Sequence, residues 1–239
     1  MNEILIFLLS LAGAFVLRVC GFGFGVFTMA WLPYLLPSYG EATTLSGILA
    51  MAGSILVAFK NWRKIDWHKL TPILITFIVS SCASIHFVSV ADDHLLKRIL
   101  GVMLIIASLW FLAISKHVKV KPTLPVQITM GTISGVMGGL FAMHGPAAVL
   151  YFLACAKDKD EYVVLTMTYL LGNIMMLGFR IHNGFLTPAV GHAFLYGIFA
   201  VAIGTWVGSK VFHRLSTDVV KKISYAYIAI SGVLSLVMS

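Results

Sequence analysis

Gly21-Phe22-Gly23-Phe24-Gly25-Val26-Phe27 and Gly135-Val136-Met137-Gly138-Gly139-Leu140-Phe141 are the two stretches on which the fold turns. Each interrupts an apolar run, and each is followed by proline: Pro33 and Pro37 after the first, Gly145-Pro146 after the second. Glycine lets the backbone unwind or approach a neighbour closely, and proline removes a backbone donor. The segment 22–37 reaches only about 24 Å as a helix, short of the ~30 Å core of a bilayer. Short, Gly/Pro-interrupted segments at corresponding places in two repeats point to a transport site. Amide groups freed where half-helices start attract anions.

The surrounding sequence extends the duplication. Asp93-His94-Leu95-Leu96-Lys97-Arg98-Ile99 resembles Thr217-Asp218-Val219-Val220-Lys221-Lys222-Ile223, and Phe59-Lys60 matches Phe179-Arg180. The matches stay in order, so the chain reads as two homologous halves, 1–119 and 120–239, joined near Pro122 and Pro125.

Composition sets the class. Of 239 residues, 59% are apolar and 11% charged, with a mean hydropathy of +0.96. A soluble domain carries about 25% charged residues, so a soluble globular domain and a disordered chain are both excluded. The apolar runs are continuous rather than alternating, which argues against a β-barrel. The expectation is an all-α polytopic membrane protein with about eight to ten segments. The first run, Ile4 to Leu17, follows Glu3 in place of a basic region and reads as a retained helix rather than a cleaved leader.

Loop charges address orientation. The formal charge is +8, and most of it lies between apolar runs. If 1–37 and 124–156 each return the chain to its starting side, thirteen Lys and Arg fall on one side and three on the other. Single crossings there give an even split. The positive-inside rule favours the first arrangement. It makes five segments per half, an inverted repeat, in an inner (plasma) membrane. The same rule accounts for the basic excess without nucleic acid. Cys20, Cys82 and Cys155 have no metal-binding or disulfide spacing.

Several motifs taken together resemble the sulfite exporter TauE/SafE family of membrane transporters. They are Gly21 to Gly25 with Pro33; Gly131-Thr132-Ile133-Ser134-Gly135-Val136-Met137-Gly138-Gly139 with His144-Gly145-Pro146; the basic connection Lys60 to Trp67; and Asp93 to Trp110. The resemblance covers nearly the whole chain. Phe24 interrupts a glycine run that is usually denser, and His144-Gly145-Pro146-Ala147 stands where the family often has Gly-Gly-Pro-Pro. The resemblance implies transport of sulfur-containing anions such as sulfite or organosulfonates, and no enzymatic role.

The expected substrate-binding residues are the glycines Gly21, Gly23, Gly25, Gly138, Gly139 and Gly145, with Pro146 and three polar side chains. Arg18, three residues before Gly21, can hold a sulfo group through paired donors or reach to the membrane surface. His144 can donate to an oxyanion or carry a proton. Thr166, Asn173 and Arg180 are spaced by seven and share a helix face. Asn173 is the site candidate among them. Arg180 and Lys60, at segment ends, are expected at the interface.

Glu41 and the other acids are expected at ends or in loops, which argues against a carboxylate-based cation pump. No P-loop or metal-ligand spacing is present, so no cofactor or metal is expected. The expected partners are a small anion and the bilayer, with a coupling proton or sodium for uptake; the oligomeric state is open. The competing readings are a partner-dependent intramembrane enzyme, a subunit of a sulfur-metabolising complex, or a transporter of another small anion.

Overall fold

The computed structural model describes residues 2–20, 23–60, 63, 65–109, 123–143 and 146–211. Gly21, His144, Gly145, the linker 110–122 and the repeat segment 217–223 lie outside them. The fold is all-helical, with no strand among the described residues. In chain order the helices are α1 (Asn2–Cys20), α2 (Phe24–Met29), α3 (Leu32–Leu35), α4 (Tyr39–Lys60), α5 (Trp67–Val90), α6 (Asp93–Leu109), α7 (Leu124–Phe141), α8 (Pro146–Cys155), α9 (Lys159–Leu170), α10 (Asn173–His182) and α11 (Pro188–Val211).

Among the described residues, five stretches are long and apolar enough to cross a membrane: Glu3–Cys20, Trp67–Val90, Leu124–Phe141, Asp160–His182 and Pro188–Val211. Their outer faces carry exposed Ile4, Val79, Phe199 and Trp206. The interior holds an unusual number of buried polar groups, including Thr28, Thr43, Thr44 and Ser46. Apolar outside and polar inside is the arrangement that suits lipid as solvent.

The termini of the helices complement their dipoles. Glu3 lies in the first turn of α1 and Arg18 in its last. The Asp158 carboxylate accepts from the Glu161 amide at 2.8 Å, capping α9.

Small residues bring two helix pairs into close contact. A Cβ on Gly131, Gly135 or Gly139 of α7 would stand 2.6, 2.4 or 2.6 Å from the carbonyl oxygens of Ile73, Phe77 and Ser81 of α5. The contacts advance together, so α5 and α7 run parallel. Ser81 Oγ donates to the Gly135 carbonyl at 2.9 Å across this seam. Gly204 and Gly208 of α11 meet Leu11 and Phe15 of α1 in the same way, so α1 and α11 are also parallel. This is small-residue packing, used in membranes to bring backbones close.

The helix ends recur at a spacing different from the one between the two glycine stretches. α5 and α11 are both 24 residues long and begin 121 positions apart, at 67 and 188. α1 and α7 end at 20 and 141, again 121 apart. Gly21 and Gly135 are separated by only 114. At the helical register, Gly135 stands opposite Ala14, inside a helix, and Gly23 stands opposite His144. The glycines of α7 line a helix seam, whereas Gly23 marks a break.

The apolar run 162–180 is not one helix. It breaks at Leu171-Gly172, where Gly172 N donates to Tyr169 O at 3.0 Å and Ile174 N to Leu171 O at 2.9 Å. These tight three-residue steps replace the regular ladder. Gly172 is tucked against Phe77 and Leu74 of α5.

Candidate functional site

One turn of α4 gathers groups from both halves of the chain. Thr43, Ser46 and Gly47 lie on one face, since residues three and four apart are neighbours on a helix. The Ser46 and Thr28 hydroxyls share a hydrogen bond of 2.9 Å, joining α4 to α2. Gly47 leaves room for Asn173, whose Oδ1 is 3.5 Å from where a Cβ on Gly47 would stand. Thr43 Oγ1 accepts from the Arg180 guanidinium of α10.

Arg180 is only 3% exposed. Its Nη2 reaches the carbonyl oxygens of Gly138 at 3.4 Å and Gly139 at 3.2 Å. These are last-turn carbonyls of α7, which carry the negative end of the helix dipole. They solvate the guanidinium but supply no full negative charge. Lys69 pairs with Asp66 and with Glu161, whereas Arg180 has no carboxylate partner among the described residues. A buried charge without a counter-charge is costly and is a candidate for a functional site. The expected interfacial position for Arg180 is therefore corrected. It ends an apolar run, but α4 and α7 cover it.

The two backbone breaks meet beside this turn. Gly23 has φ +102° and precedes α2, and Ala142 has φ +52° and follows α7. Gly25, in the first turn of α2, lies on the carbonyl of Ala142, and a Cβ there would stand 1.9 Å from that oxygen. No side chain fits, so this contact requires glycine. An alanine in the left-handed region costs about 1–2 kcal/mol, strain held where the second break begins.

Asn173 is 4% exposed and starts α10. Its Nδ2 donates to the Leu170 carbonyl at 3.0 Å, closing the end of α9 and leaving Oδ1 toward α4. The structure thus brings Gly25, Gly138, Gly139 and Asn173 to one region, the middle two through Arg180. Pro146 opens α8 just beyond the second break. Arg18 is turned elsewhere: its Nε donates to Ser209 Oγ of α11 at 2.8 Å, and its stem packs on Gly208. Gly23 borders the first break. Gly21, His144 and Gly145 flank the breaks in sequence and lie outside the described residues.

Glu41 sits at a helix end, as expected, in the first turn of α4, but it is buried there, at 7% exposed. Among the described residues, no group of three or more His, Cys, Asp or Glu side chains converges to hold a metal.

Sequence reasoning missed Arg180 as a site residue, although the seven-residue spacing from Asn173 placed both on one face. The decisive contacts, to Thr43, Gly138 and Gly139, span 137, 42 and 41 residues.

A family model described as Sulfite exporter TauE/SafE matches residues 5–235, nearly the whole chain. No curated protein and no solved structure matches it. The family consists of membrane transporters, in keeping with the membrane-length helices and the buried polar interior. On a match of that extent, the chain belongs to the TauE/SafE sulfite exporter family.

Proposed function

We propose that the protein is a secondary transporter of small sulfur-containing anions, sulfite or organosulfonates, in the inner membrane. The observation that carries this reading is Arg180: a buried guanidinium with no carboxylate partner among the described residues, beside two meeting backbone breaks. A singly charged sulfo group supplies the missing counter-charge, and a guanidinium matches its planar pairs of oxygens. Asn173, Thr28 and Ser46 add neutral polar groups. Amides at the breaks around Gly23, Gly25 and Pro146 complete the cradle; Gly21, His144 and Gly145 are adjacent to them in sequence. Arg18 serves in this reading to hold α1 to α11.

Alternating access follows from an inverted repeat with halves 1–119 and 120–239. Two features support that symmetry. α1 packs parallel to α11 and α5 parallel to α7, so each half lends its first helix to the other. α4 and α10 cross antiparallel, Thr43 meeting Arg180 and Gly47 meeting Asn173. Rocking of one half against the other exposes the site to each side in turn. Export is the direction that the family description gives. An inside-negative potential assists the export of an anion that crosses alone by about 2.3 kcal/mol per charge per 100 mV.

The test is flux in proteoliposomes containing only this protein, loaded with sulfite, thiosulfate, methanesulfonate, sulfate or acetate. Selective movement of the sulfur oxyanions is expected. Folded protein that moves none of them would overturn the reading and favour a partner-dependent role.

A further inference from the structure

Glu41 and Glu161 hold the same place in the two halves, each the third residue of its helix, α4 and α9. Lys69 and Val190 likewise are the third residues of the equal-length helices α5 and α11. At one corner Glu161 meets Lys69 at 2.6 Å and accepts from the Lys157 amide at 2.6 Å. At the other corner the place of the lysine is taken by Val190, which is fully buried.

Glu41 therefore lacks the cation that its counterpart has. The Thr187 hydroxyl is its side-chain hydrogen-bond partner. Its Oε2 is buried and has no partner among the described residues. The charged group whose field reaches it is Asp93 of α6, another carboxylate. Asp93 in turn accepts from the Tyr39 amide at 2.9 Å. The Tyr39 hydroxyl, wholly buried, also has no partner, and its ring lies in the fields of Arg180 and Asp93. A carboxyl group buried beside a like charge, with one oxygen bare, is accommodated by binding a proton.

We propose that Glu41 is a proton-binding site coupled to the anion held at Arg180. Glu41 is two residues from Thr43, the hydroxyl that Arg180 grips. Protonating Glu41 removes a negative charge from this end of α4, so proton and anion bind cooperatively, and the coupling is reciprocal. For a singly charged sulfonate the pair crosses without net charge. Net direction then follows the combined anion and proton gradients. This inference rests on the transport reading above.

The experiment uses wild-type protein and Glu41→Gln in proteoliposomes, with methanesulfonate as substrate. That anion stays singly charged across the working pH range, so any pH dependence belongs to the protein. Internal pH is followed with a trapped dye while a potassium gradient with valinomycin clamps the potential. Exchange of labelled for unlabelled methanesulfonate is measured in parallel.

Wild type is expected to move about one proton with each sulfonate. Glu41→Gln is expected to keep exchange within a few-fold while proton movement falls to background. Sulfonate flux without protons in wild type, or equal proton movement in Glu41→Gln, would overturn the proposal and leave the transport reading standing. Absence of any sulfonate movement in wild type would strike the transport reading itself. If Glu41→Gln lacks exchange, Asp93→Asn decides. Removing the like charge should shift the pH midpoint of wild-type exchange to lower pH, and an unmoved midpoint counts against Glu41.

Discussion

Gly25 in α2 rests on the carbonyl oxygen of Ala142, with 1.9 Å between that oxygen and the position a Cβ would occupy. Gly25 follows the first break and Ala142 opens the second; the oxygen is backbone and a Cβ is fixed to the backbone, so neither swings aside. Gly25→Ala is expected to abolish transport and to destabilise the protein by about 1–3 kcal/mol or more, the range for overpacking. Gly178, with nothing within 4 Å of its Cβ position, is the control. Gly178→Ala should be neutral or slightly stabilising, because alanine favours the helix by roughly 0.5–1 kcal/mol. Thermal unfolding in detergent and flux in vesicles read both effects. Equal behaviour of the two variants counts against a required contact between the breaks.

Asn173 presents a neutral amide on the face of α10 that also carries Arg180. Asn173→Asp keeps the shape and adds a negative charge where the account places an anion. The KM for methanesulfonate is expected to rise at least tenfold, a change equivalent to about 1.4 kcal/mol. Asn173→Gln tests shape without charge. If the aspartate variant transports as well as wild type, Asn173 does not face the substrate.

The contacts of the helix ends bear on topology. Lys69 and Glu161 pair at one end of the bundle, and the Tyr39 amide and Asp93 at the other. Cysteine introduced at exposed Lys157, beside the first pair, should be labelled only from the cytoplasmic side. Cysteine at exposed His94, beside the second, should be labelled only from outside. Labelling of both from one face would remove the inverted arrangement and the alternating access built on it.

Much of this architecture is legible in the sequence, and the exceptions have physical reasons. Hydropathy alone marks a helical membrane protein, because lipid leaves few ways to satisfy a backbone. The break around Gly23 is visible because glycines crowd a short segment. Gly131, Gly135 and Gly139 look like a second unwound stretch, but their spacing of four is that of a packing seam, and α5 fills it. The break at Leu171-Gly172 has no proline to announce it and rests on the fit of Gly172 against Phe77. Arg180 looks interfacial because a charge at the end of an apolar run usually snorkels. Only the tertiary contacts of α4 and α7 show that it is enclosed. Glu41 is at a helix end as expected, but its burial is not legible, since the groups near it come from distant α6 and the residue before α11.

The measurement that bears most directly on the central claim is methanesulfonate exchange by Arg180→Gln and Arg180→Lys, each compared with wild type in the same vesicles. Glutamine can still donate toward Thr43 and the carbonyls of Gly138 and Gly139, so it separates the charge from the packing. The account predicts that Arg180→Gln unfolds within a few degrees of wild type yet loses exchange by at least a hundredfold. Arg180→Lys, which keeps the charge without the fork, retains weak exchange with a raised KM. Exchange by Arg180→Gln at the wild-type rate and KM would contradict the account.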